Sequence, residues 1–187
     1  MKRCNLSPNL SRTIGRGLCL LLLCLLGCRE QEFAVIEGRL PDARYDGEFV
    51  YLVPLRNATA ANVDSARIQQ DAFRFERPTD RVGEEVFIVR TRPLLRLALQ
   101  ELLIILEPGR LHLTLDTLSS ARGTALNDSL QQWKKWKETQ GRSGQDDAQY
   151  NYRFVMHNRG NAAGRLVYEL SKSSFTPQQR QTLQMLD

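Results

Sequence analysis

The apolar residues of this chain keep one spacing as far as about residue 118 and a different one beyond it. Phe73 and Phe75 alternate with Arg74 and Glu76, and Leu111, Leu113 and Leu115 alternate with His112, Thr114 and Asp116, as a strand with one buried face requires. After a small polar link at 119–123, Leu126, Leu130, Trp133 and Lys137 recur at steps of four, three and four, the period of a helix with one buried stripe. One element type cannot serve both periods. The expectation is therefore a mainly β architecture with a C-terminal α segment: a β-sandwich-like domain over 33–118 followed by a small set of helices over 119–187.

The strand half is punctuated by turn chemistry. FAVIEGRL and EFVYLVPL, rich in β-branched and aromatic residues, flank an Asp46-Gly47 turn. Glu107-Pro108-Gly109-Arg110 sets Pro second and Gly third, where a type II turn needs negative and then positive φ. One stretch reads two ways. In 94–106, Leu95, Leu99, Leu102, Leu103 and Leu106 fall at helical spacing, with Pro93 able to start a helix and Pro108 to stop it. Periodicity leaves strand and helix even there.

In the helical half, a first helix is expected from about 127 to 140, broken by Gly141-Arg142-Ser143-Gly144. A second covers about 146–158 and a third starts near Asn161. Thr176-Pro177-Gln178-Gln179 then places Thr at N-cap, Pro at N1 and Gln at N3, a capping box for a last helix with Leu183 and Leu186 on its inner side.

The thiols have their own pattern. All four, Cys4, Cys19, Cys24 and Cys28, precede residue 29. The first 27 residues carry Lys2, Arg3, Arg12 and Arg16, no acid, and an apolar run from Leu18 to Leu26 too short to span a bilayer, the layout of a cleaved secretory signal. Leu25-Leu26-Gly27-Cys28 resembles a bacterial lipobox, which implies cleavage between Gly27 and Cys28 and acylation of Cys28. The domain plan is then a signal at 1–27 and a lipidated tether at 28–32. Cys4, Cys19 and Cys24 would leave with the signal and Cys28 would become a thioether, so no disulfide or Cys/His metal site is expected in the mature chain. Losing four of 26 basic residues leaves 22 against 21 acidic, a formal charge of +1 in place of +5. The basic balance is thus mostly the leader's and gives no argument for nucleic acid.

The order of the strand motifs carries a resemblance. Ile36-Glu37-Gly38, Val50-Tyr51-Leu52, Val63-Asp64-Ser65-Ala66, Phe73-Arg74-Phe75, Leu106-Glu107-Pro108-Gly109 and Gly123-Thr124-Ala125-Leu126-Asn127 follow one another, with 158–186 after them, over most of the mature chain. In this the chain resembles the envelope lipoprotein domain of unknown function that commonly precedes a thioredoxin-like thiol-disulfide oxidoreductase module in Gram-negative anaerobes. The resemblance implies two strands in 94–106, turning near Gln100-Glu101. Two departures stand out. The hairpin that relatives usually turn with Asp-Gly reads Gln70-Asp71-Ala72, and Ala tolerates positive φ far less well than Gly. The sequence stops at Asp187, about where the oxidoreductase module would begin, so reductase activity is not carried over.

Candidate sites are few. Trp133 and Trp136, beside Lys134, Lys135 and Lys137, are candidates for a sugar platform or an anionic-lipid patch. Trp133 also lies on the stripe of Leu126 and Leu130, which favours packing on the sheet. His112 and His157 have no matching carboxylate spacing for zinc. Asp146-Asp147 reads as favourable charge at a helix start. No nucleophile elbow, Walker loop or dinucleotide fingerprint occurs. Asp64-Ser65-Ala66, Asp116-Thr117-Leu118 and Asp128-Ser129-Leu130 look like envelope O-glycosylation sites, with Ser65, Thr117 and Ser129 as acceptors. The expectation is a lipid-anchored, non-enzymatic interaction module of the cell envelope, at the outer membrane on its periplasmic or surface face, with no cofactor or metal. Its partner would be an envelope protein or a glycan. Two rivals are an accessory to a separately encoded thiol-disulfide oxidoreductase and, more weakly, a glycan-acting enzyme.

Overall fold

Strand follows strand as the alternation requires in the computed structural model, which describes residues 32–79, 85–91, 99, 101–139 and 144–184. The expectations placed on the leader, on Gly27 and Cys28, on 92–98 and Gln100, and on Leu186 lie outside the described residues. The strands are β1 (Phe33–Arg39), β2 (Phe49–Pro54), β3 (Asp64–Arg67), β4 (Ala72–Pro78), β5 (Val86–Thr91), β6 (Leu102–Ile105), β7 (Gly109–Thr114) and β8 (Ser120–Arg122). They form two four-stranded sheets, sheet A in the order β4-β1-β7-β8 and sheet B in the order β3-β2-β5-β6. Within the described residues β1 and β7 run parallel and the other pairings are antiparallel.

The inner faces of the two sheets share a core, with Ile36 and Leu111 from sheet A meeting Val50, Leu52, Phe87, Val89 and Ile104 from sheet B. Sheet B is covered on its other face too. Ile105, Leu103 and Val86 point away from that core into a second one, built with Leu130, Val155, Ala163, Leu166 and Val167. The unit from Glu32 onward is therefore a β-sandwich with a helical layer on one side. This decides the ambiguous stretch at 102–105 as strand. Leu102 and Ile104 face one core and Leu103 and Ile105 the other, so the strand has no polar face and no alternation to read.

Four helices make that layer: α1 (Ala125–Thr139), α2 (Gly144–His157), α3 (Ala162–Ser171) and α4 (Pro177–Gln184). The capping box of α4 is reciprocal, with the Thr176 N–H donating to Gln179 Oε1 (2.9 Å) and the Gln179 N–H to Thr176 Oγ1 (3.2 Å). Asn161 caps α3, its side chain accepting from the Gly164 N–H at 3.0 Å. Helix α1 starts at Ala125, earlier than the spacing suggests, because its cap comes from elsewhere in the chain. The Glu107 carboxylate, in the β6–β7 turn, accepts from the Leu126 N–H (3.1 Å), the Asn127 N–H (3.2 Å) and Thr124 Oγ1 (2.7 Å). A carboxylate there meets both the free N–H groups and the positive end of the helix dipole.

Two further expectations are corrected. The link at 119–123 contains β8, whose three residues are too few and too polar to show a period. The Gln70-Asp71-Ala72 hairpin does make a tight turn. Gln70 and Asp71 take φ of +52° and +59°, while Ala72 already belongs to β4. The strain-prone conformation thus falls on Gln70 and Asp71, and Asp46 holds it, accepting from the Gln70 N–H at 3.0 Å and the Asp71 N–H at 2.9 Å. This hairpin joins an edge of sheet B to an edge of sheet A and closes one side of the sandwich. Gly47 (φ +88°) makes the expected Asp46-Gly47 turn beside it.

Candidate functional site

Where β2 ends, the chain leaves sheet B and forms a tight loop before β3. Asn57 takes φ +54°, a conformation Asn tolerates better than most residues. Asn62 fastens the loop from within, its Nδ2 donating to the Asn57 carbonyl (3.0 Å) and its Oδ1 accepting from the Thr59 N–H (2.7 Å). Across from this loop runs α3, presenting Ala162, Arg165, Leu166 and Glu169 on one side. The start of β5 and Arg77 of β4 complete the walls. Between them lies a cleft of about 590 Å³.

Pro54, Val86, Phe87 and Leu166 give the cleft an apolar lining, and Arg56, Arg77, Arg165, Glu85, Glu169 and the two asparagines supply its polar groups. Three guanidinium groups face two carboxylates. Arg77 is the anchored one: its Nη1 donates to Asp64 Oδ2 at 2.6 Å, and its guanidinium lies 5.9 Å from the centre of the Phe87 ring. Arg165 Nη1 reaches the Gly160 carbonyl at 3.4 Å, and Glu169 pairs with Lys172 at 3.0 Å. Arg56 makes no ion pair among the described residues. The cleft thus joins an apolar lining to convergent charged groups, the usual composition of a ligand site, at a volume within the usual range of about 300–1,000 Å³. Chemically it can orient and hold. Its described lining offers donors and carboxylates but no hydroxyl, thiol or imidazole.

The tryptophans stand elsewhere. Trp133 is half-buried in the core of the helical layer, its Nε1–H donating to Asn151 Oδ1 at 2.8 Å and its ring 6.3 Å from Phe154. It also borders a smaller groove of about 240 Å³ with Leu103, Leu130, Lys134 and Leu170. Trp136 stacks on Tyr150, ring centres 3.8 Å apart and planes 11° from parallel. The two indoles therefore do not form one platform: each is engaged with a different residue of α2. Lys137 is paired with Asp147, and Lys134 reaches the Ser119 carbonyl and Glu138, its pKa lowered by burial.

His112 is exposed on sheet A and His157 ends α2, so the fold does not bring them together. Among the described residues no group of three His, Cys, Asp or Glu is placed to hold a metal ion. Ser65, on edge strand β3, and Thr117, in the β7–β8 turn, are exposed, whereas Ser129 is half-buried and donates to Asn158 Oδ1 at 3.2 Å. No described helix is long and apolar enough to cross a membrane.

The cleft is not legible in the sequence. Its walls come from 54–62, 77, 85–87 and 162–169, and no motif links them. The helical spacing of Ala162, Arg165, Leu166 and Glu169 is the one signal that was present.

One family model, described as Domain of unknown function (DUF4369), matches residues 34–130. The match runs from β1 into α1. No curated protein matches the chain, and no solved structure does.

Proposed function

The chain belongs to the DUF4369 family, and we propose that it is a lipid-anchored, non-enzymatic binding module of the bacterial cell envelope. The cleft between the β2–β3 loop and α3 carries this reading, because a pinned loop and a packed helix hold its charged groups around an apolar lining. The occupant that suits it is an envelope protein segment or glycan offering an anionic group to Arg56 and Arg165. The basic leader and the Leu25-Leu26-Gly27-Cys28 motif support the anchor. Two or more acyl chains at Cys28 would hold the body stably at the outer membrane. Ser65 and Thr117, both exposed, are the acceptors through which the same molecule would carry glycans.

A photo-crosslinking residue at Asn57, used in native envelopes, tests the cleft. A discrete adduct is expected, and it should disappear in Arg56→Glu/Arg165→Glu. An adduct pattern unchanged by that double reversal would overturn the reading. An adduct with a Cys-x-x-Cys protein would assign the module to a separate thiol-disulfide oxidoreductase. Intact mass of Cys28 from the native host tests the anchor independently.

A further inference from the structure

Sheet A turns one face into the core and the other to solvent. On the outer face, register sets Arg74, Glu37, His112 and Arg122 in one row across all four strands. Arg110 sits one row away, opposite Val35, and Arg39 lies two residues along β1 from Glu37. Glu37 is the hub: its Oε1 accepts from Arg74 Nη1 at 2.6 Å and Arg110 Nη1 at 2.9 Å, and its Oε2 lies 3.7 Å from His112 Nδ1. One carboxylate cannot neutralise this group. Arg74 is shared with Glu76 at 3.1 Å, and Arg39 and Arg122, both exposed, make no ion pair among the described residues.

Four arginines against two glutamates give this face +2, while the chain from Cys28 onward totals only +1. The rest of that chain is thus net negative, and the excess positive charge is gathered on one surface. That surface is an open sheet face of adjacent strands about 4.8 Å apart, and Arg74, Arg110 and His112 keep 50%, 61% and 62% of their side chains exposed. It suits a flat anionic partner better than a threaded one. The same face begins at Phe33, which is 42% exposed and in phase with Val35, Glu37 and Arg39 along β1. Only five residue steps separate Phe33 from Cys28, at most about 18 Å of chain.

We propose that the outer face of sheet A docks on anionic phospholipid headgroups. The choice of a bilayer as the partner rests on the lipid-anchored reading, since an acylated Cys28 would hold the strand carrying Glu37 near the membrane surface. Acyl chains and a basic patch are complementary anchoring signals.

The test uses residues 28–187 with Cys28→Ser, because both hydrophobic cores lie within Glu32–Asp187, one compact unit. Sedimentation is measured with vesicles of phosphatidylglycerol and phosphatidylcholine in equal parts, and with phosphatidylcholine alone. Binding is expected only to the anionic vesicles and should weaken with salt. Arg39→Glu/Arg122→Glu should reduce it at least about tenfold. Arg153→Glu/Arg159→Glu, the same charge change on the helical layer, should leave it within about twofold. Equal binding to both vesicle types, equal loss in the two double variants, or sedimentation with an acidic polysaccharide but not with vesicles would overturn the proposal. The chain tested carries no lipid, so failure would count against the face alone, and an unmodified Cys28 in the host would count against the anchor alone.

Discussion

Asn127 makes with the backbone of Ile105 the two hydrogen bonds that a neighbouring β-strand would make: its Oδ1 accepts from the Ile105 N–H at 2.9 Å and its Nδ2 donates to the Ile105 carbonyl at 2.7 Å. Ile105 lies on β6, an edge of sheet B. One turn later on α1, Gln131 Oε1 accepts from the Ala121 N–H of β8, the corresponding edge of sheet A, at 3.0 Å. Lys134 follows with a bond to the Ser119 carbonyl. Helix α1 thus closes the side of the sandwich opposite the β3–β4 hairpin, satisfying strand edges with side chains where another strand would otherwise be invited to pair.

Asn127→Ala should destabilise the protein by about 2–4 kcal/mol, since Asn127 is 1% exposed and its loss strands a buried N–H and a buried carbonyl. Asn127→Asp should be no better, because a carboxylate cannot donate to Ile105 and would stand beside Glu107. Gln131→Ala, removing one bond, should cost about 0.5–1.5 kcal/mol. Urea denaturation checks the order, and an Asn127→Ala loss smaller than that of Gln131→Ala would refute the strand-substitute role.

Asp71→Gly should stabilise the protein by about 0.5–1 kcal/mol. Asp71 holds φ +59°, and its buried Oδ1 has no hydrogen-bond partner among the described residues. Glycine removes about 1–2 kcal/mol of left-handed strain and gives back part of it as chain entropy. A lower midpoint of thermal unfolding would show that the Asp46 contacts already absorb the strain.

Gly38→Ala should cost about 1–3 kcal/mol, because a Cβ at Gly38 would fall 1.9–2.5 Å from atoms of the Phe73 ring. Pairing it with Phe73→Leu makes room. The double variant should therefore be more stable than the sum of the two single losses, and strict additivity would contradict the contact.

Lys134 is 19% exposed, and burial lowers its pKa below 10.5. A lysine with a lowered folded-state pKa binds fewer protons folded than unfolded, so it makes stability rise with pH from its folded value up to the unfolded one. Lys134→Met should flatten that rise in the alkaline range just below about pH 10, near the unfolded value. Equal slopes for wild type and variant would exclude the linkage. Above that range Tyr150, its pKa raised by burial, acts oppositely, since the folded state then holds the extra proton and stability falls.

Legibility followed solvent exposure. Phe73 and Phe75, or Leu111 and Leu113, announce their strands because the residues between them meet water. Leu102–Ile105 does not, since the helical layer buries its second face and removes the polar half of the pattern. Local caps were readable for the same kind of reason: Thr176 and Gln179 sit three residues apart and bond each other. The cap of α1 is Glu107, some twenty residues upstream, and only the β6–β7 turn brings it there.

The two periods and the local turn and cap residues, such as Gly47, Thr176 and Gln179, are legible along the chain alone, because each depends on neighbours within a few positions of one element. Packing between distant segments sets the rest: which strands share a sheet, which side chains stand in for a missing strand, the cap of α1, the cleft between the β2–β3 loop and α3, and the row of Arg74, Glu37, His112 and Arg122. These depend on register and layer stacking, which sum many weak contacts between distant segments and leave no mark on any one of them.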